Sequence, residues 1–103
     1  MYMHRISIYP NADKVPEVRA MVTERVKARQ SGGLRVALAE LVAGTDAPQF
    51  TVSVLWNDLA AFEARRKSDQ ADADFQKFVA KLSTSIRRPS DIDILEVLLP
   101  MPS

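Results

Sequence analysis

"FTVSVLWNDLAAFEARRKSD", residues 50–69, decides the fold of this chain. Phe50, Val52, Val54 and Trp56 alternate with Thr51, Ser53 and Leu55, a period of two that reads as a strand with one apolar face. Asn57 and Asp58 then break the alternation and offer side-chain oxygens to cap a helix. Leu59, Phe62 and Arg66 mark the first two turns of that helix. The only tryptophan therefore sits where a strand ends and a helix begins. Its indole is large and carries one N–H that needs a partner. It either plugs a core or walls a pocket.

Downstream, "KSDQAD" at 67–72 weakens the helical pattern, and Asp69 offers a second cap. Phe75, Phe78, Val79, Leu82 and Ile86 then form an apolar stripe, so the segment reads as a kinked or broken helix. Pro89 stops it, with Arg87 and Arg88 at the negative end of the helix dipole. "DIDILEVLL", 91–99, is the last strand. Upstream, "LRVALAELVA" at 34–43 alternates as a strand, and a turn at 44–49 joins it to the strand at 50–56 as a hairpin. Before it, Val15, Val18, Met21, Val22 and Val26 recur at helical spacing, with Glu17, Glu24, Arg25 and Lys27 around the other face. Asp13 is positioned to cap this helix, Pro16 falls in its first turn, and "SGG" at 31–33 ends it. "MHRISIY", 3–9, is the first strand, with His4, Ile6 and Ile8 on one side and Arg5, Ser7 and Tyr9 on the other.

The order is β-α-β-β-α-β. Right-handed crossovers turn it into an α+β ferredoxin-like plait, a four-stranded antiparallel sheet with both helices on one face. Ile6, Ile8, Val36, Leu38, Val52 and Val54 are assigned to the helix side. The other side then holds Tyr9, Ala37, Ala39, Leu41, Leu55, Leu95, Val97 and Leu99, an apolar set that needs covering. A second copy of the same sheet covers it, so a homodimer through the sheet face is expected.

Composition narrows the function. A chain of 103 residues with no linker or repeat reads as one domain, 1–103. Fourteen Lys and Arg against thirteen Asp and Glu give no electrostatic reason to expect nucleic acid or an anionic membrane. No apolar run approaches the ~20 residues of a bilayer span. The absence of cysteine excludes disulfides and thiolate chemistry and fits a reducing cytoplasm. A single histidine leaves no histidine metal cluster, and no metal site is expected. Asp69, Asp72 and Asp74 lack the glycine and closing glutamate of a calcium loop. Ser7, His4 and Asp93 have no spacing that favours a triad. The remaining candidates are His4 as a general base, whose ordinary pKa near 6.5 suits weakly acidic protons, and Trp56, Tyr9 and Arg35 as ligand contacts. For Tyr9 and Arg35, a strand-end tyrosine and a snorkelling arginine are the plainer readings.

The spacing of Trp56, Phe62, Ser68 and Asp69 resembles the W-x5-F-x5-S-D stretch of antibiotic-biosynthesis-monooxygenase-like members of the dimeric α+β barrel superfamily. Residues 55–82 also resemble its NIPSNAP branch. The resemblance implies a homodimer whose sheets close into a barrel, with a pocket inside or between sheet and helices. It implies a cofactor-independent monooxygenase or isomerase of aromatic or polyketide-like compounds. The alternative is a non-catalytic ligand-binding or stress-related homodimer, or a protein-interaction module, of the same fold. The haem-degrading members use a helix Trp and a downstream His, where this chain has Arg65 and Phe75. Haem degradation is therefore not expected, and no cofactor is assigned.

Overall fold

Strand β1 (Tyr2–Ile8) leads through a 3-10 turn (Ala12–Lys14) into helix α1 (Val15–Ser31). Strands β2 (Val36–Glu40) and β3 (Phe50–Trp56) follow as a hairpin, then helices α2 (Leu59–Gln70) and α3 (Ala73–Ser83), then strand β4 (Asp91–Glu96). The computed structural model describes residues 1–102. The strands order β2-β3-β1-β4, each pair antiparallel. Each helical crossover therefore skips one strand, which is the ferredoxin-like α+β arrangement.

The helix side of the sheet is the even set. Ile8, Phe50, Val18, Val22, Val26 and Leu82 form the buried cluster, with Ile6, Val36, Leu38 and Val52 packed against it. Register fixes this, because a slip of one residue would turn every one of these side chains to the other face. Ile6 lies opposite Val52, and Val36 opposite Val54.

Several local features differ from the sequence-based expectation. Asp13 does not cap α1: it lies inside the 3-10 turn, which closes through the Lys14 amide donating to the Asn11 carbonyl at 2.9 Å. Gly33 takes φ +90° after α1, the left-handed turn that favours glycine. Asp58 caps α2, accepting from the Ala61 amide at 2.7 Å. The broken segment is two helices, and the second cap is Asp72 rather than Asp69, accepting from the amides of Asp74 and Phe75. Helix α3 stops at Ser83, so Arg87 and Arg88 do not serve its dipole. Arg87 instead donates to the carbonyls of Pro10, Asp46 and Pro48, tying the β2–β3 connection to the end of β1. Strand β4 ends at Glu96, three residues early, because its partner β1 runs out: Val97 makes a last backbone bond to the Met1 carbonyl.

The face away from the helices is mixed rather than uniformly apolar. Leu95, Met3 and Leu55 align across three strands as one apolar row. The next row is Asp93, Arg5, Ser53 and Ala37, and the one after is Asp91, Ser7, Thr51 and Ala39. Exposed apolar surface concentrates instead on β4 and the segment after it: Ile92 is 64% exposed and Leu99 90%.

Candidate functional site

The helices do not lie flush on the sheet. Between them is a cavity of about 430 Å³. Its floor is the even face of the sheet, including His4, Ile6, Val52, Val54 and Trp56. Its roof comes from all three helices: Val22, Arg25 and Arg29 of α1, Phe62, Arg65 and Asp69 of α2, and Phe75 and Phe78 of α3. The break between α2 and α3 makes the space. A continuous helix would carry Phe75 along the axis of α2. The Asp72 cap redirects the chain so that Phe75 and Phe78 turn toward α1, with ring centroids 6.5 Å apart. A separate surface recess beside Lys14, Glu17, Glu24 and Lys81 carries charges of both signs and none of the candidate residues.

Phe62 organises the aromatic end of the cavity. His4 meets its ring edge-on at 4.9 Å between centroids, and Trp56 does so at 6.0 Å. Both geometries are favoured by the ring quadrupoles. Burial holds the His4 pKa below its ordinary value, so the imidazole is neutral at pH 7 and can accept a proton. The Trp56 indole N–H is buried with no hydrogen-bond partner among the described residues. Asp69, the acid of the cavity wall, receives Arg29 at 2.9 Å, and this pair ties α1 to α2.

Of the four residues singled out from the sequence, His4 and Trp56 line this cavity together and Tyr9 and Arg35 do not. Tyr9 is buried in a cluster of its own, its hydroxyl donating to Asp91 at 2.5 Å and its ring carrying the Arg88 guanidinium at 3.7 Å. Arg35 is exposed, and strand alternation turns it away from its cavity-lining neighbours Leu34 and Val36. Arg25 was missed: it was assigned to the solvent side of α1. The signal was in the spacing. Arg25 and Arg29 each follow a stripe valine, Val22 and Val26, by three residues, which puts them on the row beside the apolar stripe.

A four-stranded plait with a largely apolar cavity between its sheet and helices defines a small α+β fold. The chain belongs to the antibiotic biosynthesis monooxygenase family, whose family model matches residues 1–81. Its structure is similar to that of a NIPSNAP domain protein from Burkholderia xenovorans, at 17% identity over 100% of both chains with a TM-score of 0.81. It is also similar to a NIPSNAP family protein from Agrobacterium tumefaciens, at 22% identity over 97% of this chain and 92% of that one with a TM-score of 0.75. A third likeness is to the crystal structure of an antibiotic biosynthesis monooxygenase, at 17% identity over 96% of this chain and 100% of that one with a TM-score of 0.72. At these identities the likeness is one of fold. No curated protein matches the chain. Among the described residues, no helix is long and apolar enough to cross a membrane.

Proposed function

We propose that this protein is a homodimer that binds a small aromatic or polyketide-like compound in the cavity between sheet and helices, and that it acts on it as a cofactor-independent monooxygenase. The carrying observation is the cavity itself, about 430 Å³ of apolar space with a neutral histidine and an indole at one end. A ligand in that space exchanges water for aliphatic and aromatic walls. A phenol with an activated CH2 group is its own electron source. His4 takes a proton from the CH2 group, the carbanion reacts with dioxygen, and the CH2 becomes C=O. One oxygen atom stays in the product; the other leaves as water with the two hydrogens. The protein then has only to desolvate, orient and accept a proton. The lack of cysteine agrees with work in a reducing cytoplasm.

The Asp69 pairing favours a second reading. A catalytic histidine is commonly oriented by a carboxylate, and here the cavity's acid is engaged with Arg29. A binding protein without chemistry needs no such orienter. Oxygen uptake separates the two. With a polycyclic phenol bearing a CH2 group, one dioxygen consumed per substrate above the spontaneous rate, and a drop in His4→Gln, supports the oxygenase. Binding without uptake supports the binder.

A further inference from the structure

Arg25 is the group whose charge a neutral ligand would leave without a counterpart. Its Nε and Nη2 are buried and have no hydrogen-bond acceptor among the described residues. The guanidinium lies 5.1 Å from the Phe75 ring centroid and 5.3 Å from that of Phe78. Those ring faces attract the cation but take little from its N–H groups. Arginine cannot shed the charge by losing a proton, and a buried charged donor without an acceptor is costly. Its neighbour Arg29 has Asp69, and Arg66 reaches Glu63 at 3.2 Å. With Arg65, four arginines stand among the lining residues of the cavity and Asp69 is the one acidic residue there.

We infer that the cavity is built for an anionic ligand, an aromatic or polyketide-like carboxylate whose head is received by Arg25. The inference rests on the small-molecule reading above and names the class of ligand. A guanidinium fork offers paired N–H donors that match the two oxygens of a carboxylate, and Arg25 stands in the cavity wall. Phe75 and Phe78 flank the cation and hold it in place. The body of the ligand then extends over Val52 and Val54 toward Trp56.

The test is a matched pair of probes, 2-naphthoate and 2-naphthamide, titrated calorimetrically at about pH 7.5, where the acid is ionised. The two share shape and differ in charge. The expected result is that naphthoate binds at least tenfold more tightly than the amide, and that Arg25→Met abolishes that preference. Equal affinities in the native protein, or a preference that survives Arg25→Met in a folded variant, overturn the anionic inference and leave small-molecule binding standing. Failure of both probes to bind overturns the two together. If Arg25→Met does not fold, the native comparison decides alone.

Discussion

Trp56 and Phe62 meet edge to face, 6.0 Å between ring centroids at an interplanar angle of 66°, across the junction of β3 and α2. Six residues apart in sequence, they are brought together by the Asp58 cap, which turns the chain from strand to helix in two residues. The pair is at once the hinge of the fold and one end of the cavity. Core plug and pocket wall are therefore not exclusive: one face of the indole packs while the same ring lines open space.

That dual position gives the first prediction. Trp56→Phe removes a buried N–H that has no partner among the described residues, which offsets part of the lost packing. Stability should change by about 1 kcal/mol or less. An aromatic ligand that stacks on the indole should lose roughly 0.5–1.5 kcal/mol of affinity, a two- to tenfold weakening. As the only tryptophan, Trp56 reports its own surroundings, and its emission should be quenched by the polycyclic phenol. A melting temperature that collapses in the variant, with ligand affinity unchanged, would make the residue structural alone.

The plait was legible in the sequence because its strands alternate cleanly and its helix stripes are regular. Phe50, Val52, Val54 and Trp56 share a face by period alone, and Val18, Val22 and Val26 by helical spacing. The cavity was only half legible. His4 and Trp56 could be placed on one face of the sheet, but the roof depends on where a helix breaks. Asp58, Asp69 and Asp72 are all capable of capping, and only tertiary context gives Asp69 to Arg29 and leaves Asp72 to start α3. Tyr9 misled because parity says which side of a sheet a residue faces and nothing about the Asp91 and Arg88 that enclose it there.

The contrast between Phe50 and Phe78 provides a second prediction. Phe50 is 1% exposed and closed in on every side, so Phe50→Ala should cost about 3–5 kcal/mol. Phe78 is half-buried, and one side of its ring already faces the cavity. Phe78→Ala enlarges an existing space and should cost less, about 1–2 kcal/mol, within the range for partial burial of an aromatic side chain. Urea titrations of the two variants check the order. Equal losses would mean that the cavity is filled by the protein itself in solution.

A third prediction concerns pH. Burial lowers the His4 pKa below 6.5, so the unfolded chain binds this proton more readily than the folded one. The stability that His4 contributes is complete above the unfolded value and declines as pH falls from there toward the lowered folded value. Native protein should lose urea resistance as pH falls through about 6.5 and below, and His4→Gln should lose less over the same fall. Identical losses in both would show that another group titrates there.

The last prediction is the dimer. One chain leaves Leu98 at 87%, Leu99 at 90% and Met101 at 90% exposure in the segment after β4, apolar side chains that a partner can cover. The far side of the sheet adds the apolar row of Leu95, Met3 and Leu55 beside the exposed Arg5–Asp93 pair, 3.4 Å apart. An isologous interface on this face would have to set apolar row against apolar row and charge against opposite charge. The pair should bury well over about 1,200 Å² in total. Sedimentation equilibrium should give twice the mass of an 11.5 kDa chain at micromolar concentration. Leu55→Glu places a carboxylate at one end of the apolar row, so it should return the protein to monomer while its helical circular dichroism is kept. A native protein that sediments as a monomer at that concentration would rule the interface out.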